Sequence, residues 1–318
     1  MARLTRIIAV GCVALLPTTA KADIYPERPI TLVIGFAPGS GIDTVGRILA
    51  GHVGRALKQS IVVENKVGAN AAIAATHVAR AKPDGYTLFI GSASSLSANP
   101  SLLKNISYDP VKDFAPVSLS FAYMLVVHPG VPPRSIGELI AYARANPGKL
   151  SYASSNTSGL VAGMTFVRWA GLNITHIPYK SAPPAINDVL GGRVSMMFAD
   201  VTTALPHVRA NALRGMAVIA SQRSALLPDL PSLSEIGLAD FDSPSWNGIV
   251  APANTPRNVI SRLNAEVLKV VGDPAIKTQL AGLGFEAYSS TPDQMEDFVK
   301  AQIIKWSRLV KDAGIEMQ

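Results

Sequence analysis

The feature that most constrains this chain is a repeated alternation of short apolar runs with segments of helical periodicity. Residues 29–36 form a β-branched apolar run, typical of a buried parallel strand. Residues 45–57 then carry apolar side chains at helical spacing, and 60–65 form a second predicted strand. Because neighbouring parallel strands need a crossover connection, this alternation predicts βαβ units.

The same alternation restarts in the middle of the chain without a low-complexity linker. The chain has 318 residues, of which 48% are hydrophobic and 16% charged; this length and composition are ample for sizeable cores and favour two folded domains over one. We predict two lobes built on parallel sheets and joined by a hinge of two strands, 123–127 and 216–220. Lobe 1 is expected to comprise residues 23–122 plus 223–318, and lobe 2 residues 123–222.

The N-terminal residues have the pattern of an export signal. Arg3 and Arg6 precede the apolar segment 7–16, and a small-x-small cleavage pattern occupies 20–22. The apolar segment is shorter than the about 20 residues that span a bilayer. We therefore predict a signal peptide over 1–22, cleavage after Ala22 and a periplasmic location.

The chain has one cysteine, Cys12, which lies inside that predicted signal. A lipoprotein-type cleavage at Cys12 is the alternative, but the apolar run before it is very short. With conventional cleavage the processed chain has no cysteine. Disulfides, thiolate nucleophiles and thiolate metal sites are then excluded.

Charge and motif content argue against several classes of function. The formal charge of +7 falls by three, to +4, when Arg3, Arg6 and Lys21 are removed, and the basic residues are scattered. Nucleic-acid binding is therefore not expected. The five histidines lack metal-site spacing, and the motifs of serine hydrolases, P-loop proteins and zinc proteases are missing. We expect no cofactor, no metal and no enzymatic activity.

Two Gly- and Ser-rich loops, 38–41 and 154–159, each lead from a predicted strand into a predicted helix. A helix N-terminus offers unpaired N–H groups and a partial positive charge, so such loops can hold a carboxylate without a basic side chain. Loop 91–95 is a third candidate of similar composition. The alternative is that these loops are ordinary turns and helix caps.

Two acidic residues, Asp43 and Asp200, follow predicted strands close to these loops. Each has two open interpretations. Either the carboxylate caps a helix, or it accepts a hydrogen bond from an ammonium or hydroxyl group of a ligand.

Ten short motifs follow one another along the chain and together resemble a known family. They are Tyr25-Pro26-x-Arg28-Pro29-Ile30, Phe36-Ala37-Pro38-Gly39-x-x-x-Asp43, Val62-Val63-Glu64-Asn65-Lys66-x-Gly68-Ala69, Pro83-Asp84-Gly85-Tyr86-Thr87-Leu88, Tyr108-Asp109-Pro110-x-x-Asp113-Phe114, Tyr152-Ala153-Ser154-Ser155, Pro178-Tyr179-Lys180, Leu205-Pro206-His207, Trp246-x-Gly248 and Lys305-Trp306. In this order they resemble the Bug family, the substrate-binding receptors of tripartite tricarboxylate transporters.

The resemblance implies a type II periplasmic binding protein fold that binds dicarboxylates, amino acids or aromatic acids and delivers them to a membrane permease. It also implies which residues bind the ligand: Phe36, Gly39, Ser40, Gly41, Asp43, Ser92, Ser154, Asn156, Thr157, Ser158, Gly159, Tyr179 and Asp200. Ser40, Asn156, Ser158 and Ser181 stand where the family usually has glycine. These changes add bulk and polar groups to the cleft, and we infer a smaller or more hydroxylated ligand.

The sequence thus predicts a monomeric receptor that clamps a small carboxylate between two lobes and presents the closed form to a permease. One alternative is a sensor subunit that reports the ligand to a signalling protein. A further alternative, an enzyme acting on carboxylic acids, is disfavoured by the missing nucleophile–base motif.

Overall fold

The computed structural model describes residues 25–121, 123–219, 223–224, 226–237, 246–287 and 290–317. The predicted signal peptide, its cleavage site and the last residue of the predicted hinge strand 216–220 lie outside these ranges. The strands are β1 Ile30–Ile34, β2 Ile61–Asn65, β3 Thr87–Ser92, β4 Phe114–Phe121, β5 Tyr123–Val127, β6 Ser151–Ser154, β7 Thr175–Pro178, β8 Met196–Asp200, β9 Arg214–Val218, β10 Trp246–Pro252 and β11 Glu286–Ala287. The helices are α1 Gly41–Leu57, α2 Ala72–Ala79, α3 Asn99–Leu102, α4 Ile136–Ala145, α5 Thr157–Ala170, α6 Ala182–Leu190, α7 Val201–Arg209, α8 Arg257–Gly272, α9 Pro274–Gly282 and α10 Pro292–Asp312.

The strands form two sheets, one in each lobe. The first has six strands in the order β11-β4-β10-β3-β1-β2, and the second has five in the order β7-β6-β8-β5-β9. The strands of the first sheet lie within 30–121 and 246–287, and those of the second within 123–218. The predicted two-lobed α/β architecture is confirmed, while the lobe boundaries given from the sequence stay a prediction.

Each sheet is mixed rather than purely parallel. Strands β2 and β3 pair parallel to β1, and β7 and β8 pair parallel to β6, as the βαβ pattern predicts. The remaining pairs, which involve β4, β5, β9 and β10, are antiparallel. The reason is that the chain leaves lobe 1 on β4, enters lobe 2 on β5 and returns through β9 and β10. Outgoing and returning strands necessarily run in opposite directions.

Strand β1 shows why its sequence is almost continuously apolar. Ile30, Leu32, Val33 and Ile34 are all buried, and Val33 packs into a different apolar cluster from the other three. Both faces of the strand are therefore covered, which is typical of a parallel strand. This burial fixes the carboxyl end of β1, where the first Gly- and Ser-rich loop begins.

Three predicted loops prove shorter than expected because helical structure starts earlier. Helix α1 begins at Gly41, since Ser40 Oγ accepts a hydrogen bond from the Asp43 N–H. Helix α5 begins at Thr157, because Asn156 caps it in the same way. In the third candidate loop, residues 94–98 form a π-helical turn directly after β3.

A β-bulge in β4 is held by a buried side chain of α8. The pairing with β10 shifts between Ile249 and Val250, which leaves Val117 without a partner residue. Asn264 Nδ2 donates to Val117 O at 2.6 Å and to Ser290 O at 2.9 Å. This amide therefore ties the bulge to the chain that leads into α10.

We expect Asn264→Ala to lower the free energy of unfolding by about 2 kcal/mol, because two carbonyl groups lose a buried donor. Urea denaturation measures the change. Asn258→Ala, at an exposed position of the same helix, is the matched control and should be nearly neutral. Equal effects of the two substitutions would contradict a structural contribution of the Asn264 amide.

Candidate functional site between the lobes

A cleft between the two lobes encloses about 390 Å³ of empty space, part of it continuous with solvent. Six described residues of each lobe line the cleft. They are Phe36, Ser40, Ile42, Ser92, Ser94 and Asn247 from lobe 1, and Ser155, Asn156, Ser158, Ser181, Ala182 and Asp200 from lobe 2.

Four helices point their N-termini into this cleft. Their N-cap residues are Ser40 for α1, Asn156 for α5, Ser181 for α6 and Asp200 for α7, and all four line the cleft. Each helix N-terminus carries a partial positive charge of about half a unit. One helix of lobe 1 and three of lobe 2 therefore create a field that favours an anion between the lobes.

In α1, the capping arrangement leaves two backbone donors for a ligand. Ser40 Oγ accepts from the Asp43 N–H at 3.4 Å, and Ser40 O accepts from the Thr44 N–H at 2.9 Å. The N–H groups of Gly41 and Ile42 have no acceptor within the part of the chain that the structure describes. Both belong to the first turn, beside the cleft.

Helix α5 repeats this arrangement from the opposite lobe. Asn156 Oδ1 accepts from the Gly159 N–H at 2.9 Å, and Asn156 O accepts from the Leu160 N–H at 3.0 Å. The N–H groups of Thr157 and Ser158 find no acceptor among the described residues. Thus each lobe presents a pair of backbone donors at a helix N-terminus.

Helix α6 contributes differently because prolines occupy its first turn. Pro183 and Pro184 carry no N–H, so Ala182 supplies the backbone donor at this end. The Ser181 hydroxyl makes no capping bond and no other hydrogen bond to a described residue. Ser181 lines the cleft, so that its hydroxyl can donate a hydrogen bond to a ligand or accept one from it.

The lining is polar but almost uncharged. Six of the twelve lining residues are serines, none is Lys, Arg or His, and Asp200 is the single ionisable residue among them. An anion in this cleft would therefore be held by dipoles and hydroxyl groups. Near Asp200, a ligand carboxylate would be repelled, whereas a hydroxyl or ammonium group would be favoured.

Asp43 is not among the residues that line the cleft, and its carboxylate contacts the loop before α1. Ser40 is the N-cap, and the Asp43 carboxylate is buried. Asp43 Oδ1 accepts from Arg47 and Asn65 at 3.0 and 2.8 Å, and Oδ2 accepts from the Gly39 N–H and Arg47 at 2.9 and 3.0 Å. Since each oxygen already accepts two hydrogen bonds, the carboxylate holds the loop before α1 in place.

Burial alone would raise the pKa of Asp43, but the hydrogen bonds from Arg47, Asn65 and Gly39 outweigh it and hold the pKa below its ordinary value. The ionised carboxylate therefore stabilises the fold at neutral pH. This stabilisation is lost as the pH falls below the ordinary value and through the lowered pKa of the folded state.

We expect Asp43→Asn to lower the free energy of unfolding at neutral pH by about 2 kcal/mol. The difference from wild type should shrink as the pH falls below the ordinary value of an aspartate and approaches the lowered pKa of folded Asp43, because the wild-type carboxylate is then progressively protonated too. Urea denaturation across this pH range measures both effects. Asp312→Asn, at an exposed carboxylate, is the control, and a pH-independent loss in Asp43→Asn would contradict the titration.

Several other predicted site residues are not among the residues that line the cleft, although residues next to them in the sequence are. Ser154 Oγ lies 2.7 Å from His176 Nε2. Tyr179 donates to Asp188 at 2.6 Å, and burial together with this carboxylate raises the pKa of Tyr179 to about 12. Gly39, Gly41, Thr157 and Gly159 likewise are not among the lining residues.

The predicted residues that line the cleft are Phe36, Ser40, Ser92, Asn156, Ser158 and Asp200. The sequence interpretation included Ile42 only as part of the 39–43 segment, and it did not identify Ala182 or Asn247 as lining residues. Ile42 and Ala182 belong to first helical turns, which earlier helix starts would have indicated. Asn247 is the unspecified position of the Trp246-x-Gly248 motif, on β10.

No group of three His, Asp, Glu or Cys side chains within the described ranges could hold a metal ion. In the same part of the chain, no helix combines the length and apolar character needed to cross a membrane.

Two α/β lobes that aim helix N-termini into a shared cleft define a solute-binding protein of the periplasmic type. The family model of the tripartite tricarboxylate transporter family receptor (TctC) matches residues 45–315. The chain belongs to this family, whose members are transport receptors and not enzymes.

Relatives cover nearly the whole chain. Protein BugT of Bordetella pertussis is 32% identical over 324 residues, which cover 100% of this chain and 99% of BugT. The structure of Rpa4515 from R. palustris with adipate has a TM-score of 0.89 at 32% identity and covers 92% of this chain and 100% of that chain. MatC from Rhodopseudomonas palustris with bound malate has a TM-score of 0.83 at 29% identity, over 90% of this chain and 100% of MatC.

Proposed function

We propose that this receptor captures a small carboxylate between its lobes in the periplasm and delivers it to the membrane subunits of a tripartite transporter. The observation that carries the proposal is the convergence of four helix N-termini on a cleft whose described lining residues include no basic side chain. A neutral acceptor would make weaker hydrogen bonds to the unpaired donors of α1 and α5 than a carboxylate, because hydrogen bonds to an ionised acceptor are stronger.

The ligand should carry a hydroxyl or ammonium group in addition to its carboxylate. Asp200 is an acceptor on the lobe 2 wall, and the hydroxyls of Ser94, Ser155, Ser158 and Ser181 make no hydrogen bond to a described residue. The structures of relatives hold adipate and malate, both dicarboxylates. A small hydroxy or amino dicarboxylate would bring acceptors to the serine hydroxyls and to the backbone donors of α1 and α5, and a hydroxyl or ammonium group to the wall that Asp200 lines.

A thermal-shift comparison of malate with succinate tests this substrate class, because the two acids differ by one hydroxyl group. Ligand at 100 times its dissociation constant should add about 2.7 kcal/mol of stability. We expect malate to stabilise the protein at lower concentrations than succinate, and Asp200→Asn to reduce that preference. Absence of stabilisation by any carboxylate would contradict the proposed function, and a preference for succinate would contradict the assignment of Asp200.

Substitutions at Ser158 test the electrostatic basis of binding. Ser158→Asp places a negative charge in the first turn of α5, where it suits the helix dipole but repels a ligand carboxylate. We expect the affinity to fall by about 100-fold or more, since like charges in contact cost several kcal/mol, while the melting temperature of the free protein is kept. Ser158→Ala is the control and should bind with a modest loss, measured by calorimetry. Unchanged affinity in Ser158→Asp would show that the anion does not contact α5.

The proposal also includes export with cleavage after Ala22, action as a monomer, and lobes comprising 23–122 plus 223–318 and 123–222. The mass of the exported protein tests the cleavage site, because the processed chain should begin at Asp23. Light scattering of the same sample, with and without ligand, tests the monomeric state.

A further inference from the structure

Beside the cleft, three glycines of lobe 1 are in close contact with side chains of lobe 2. A Cβ atom added to Gly41 would clash with Thr202 Oγ1 and would lie 3.1 Å from Thr202 Cβ. A Cβ on Gly284 would clash with Val201, and one on Gly314 would lie 2.5 Å from Arg168 Nη1. At all three positions, lobe 2 can approach lobe 1 this closely only because glycine has no side chain.

We propose that Gly41 is a positioning residue for ligand capture, whose lack of a side chain lets Thr202 of lobe 2 seat against α1 when the lobes close. The inference rests on the proposed function, since closure has a purpose only if a ligand is enclosed. It assigns to the missing side chain of Gly41 a contribution to affinity that is separate from the backbone N–H that this residue offers to the ligand.

The contact lies at the rim of the cleft, so that it reports on closure directly. Ser40 and Ile42, on either side of Gly41, line the cleft, and so does Asp200, two residues before Thr202. The N-terminal turns of α1 and α7 thus carry both the ligand-facing groups and the contact between lobes. A change of a few tenths of an ångström at this contact shifts the walls of the cleft relative to each other.

Rotation of the Thr202 side chain does not make room for a methyl group at position 41. The clash with Oγ1 would be relieved, but Thr202 Cβ at 3.1 Å and Asp200 Cβ at 3.3 Å belong to fixed positions on α7 and β8 and stay closer than ordinary contacts. The lobes must therefore move apart to accept the methyl group. Packed interfaces resist such added volume.

Of the three glycines, Gly41 allows the clearest test. It has helical backbone geometry at the start of α1, and the three atoms nearest to its added Cβ all belong to lobe 2. Alanine at this position is compatible with lobe 1 itself and favours the helix. Gly284 and Gly314 have φ values of +80° and +69°, so that substitution there would strain the backbone in any state.

The test compares wild type with Gly41→Ala, using malate and succinate as probes in calorimetry. We expect Gly41→Ala to bind the preferred probe about tenfold or more weakly, as expected for overpacking of a close contact, with an unchanged or slightly higher melting temperature of the free protein. Gly41→Ala/Thr202→Gly should recover most of the affinity, because the atoms that clash are removed. Gly137→Ala, at the second residue of α4 with no atom near its Cβ, is the control.

Two outcomes would overturn the inference: wild-type affinity in Gly41→Ala, or no recovery in the double variant beyond that of Thr202→Gly alone. If neither acid binds wild type, the proposed function is contradicted for these probes, and closure is then measured without ligand.

For that measurement, spin labels are attached to cysteines replacing Gly51 of lobe 1 and Lys149 of lobe 2, both exposed, in a Cys12→Ser background. Pulsed electron paramagnetic resonance should detect a closed population in wild type that Gly41→Ala lacks. Identical distance distributions in the two proteins would contradict the proposed role of Gly41 in closure, whether or not a ligand binds.

Discussion

The physical constraint on which the structure depends is the concentration of uncompensated helix N-termini in one enclosed space. The cleft joins the positive ends of α1, α5, α6 and α7 and offers no basic side chain among its described lining residues. Fixed backbone dipoles need no reorganisation to meet an anion, and they avoid the desolvation of a buried cation. An anion held this way also makes few strong individual bonds, which suits a receptor that must release its ligand.

The fold produces this convergence through the direction of its strands. Strands β1, β6 and β8 all deliver their carboxyl ends to the cleft, and each is followed within a few residues by a helix N-terminus. Charged side chains lie behind the residues that line the cleft. Arg47 is bound to Asp43, and this pair together with Asn65 fixes the turn before α1. The cation thus shapes the anion site without entering it, and its own charge is balanced by the carboxylate.

Local sequence patterns were sufficient for the βαβ units and for the presence of turns before α1 and α5, although both helices begin earlier than the predicted loops allowed. They failed where a distant residue decides. The position of Asp43 depends in part on Asn65, 22 residues away, and the local sequence pattern does not report this distant partner. Asn247 reaches the cleft because β10 inserts between β3 and β4 with opposite direction. The spacing of residues along the sequence does not predict this insertion, because it depends on the path of the whole chain from lobe 1 to lobe 2 and back.

The neutral character of the cleft and the glycine contacts between the lobes follow from the same requirement. Dipoles and hydroxyl groups hold an anion strongly only when water is excluded and the local dielectric constant is low. Exclusion of water requires the N-terminal turns of α1 and α7 to approach closely, and Gly41 permits this against Thr202 and Asp200. A site built on arginine would bind an anion even with the lobes apart. Under the proposed function, a site built on backbone dipoles makes binding depend on closure, because the dipoles act strongly only in a cleft from which water is excluded.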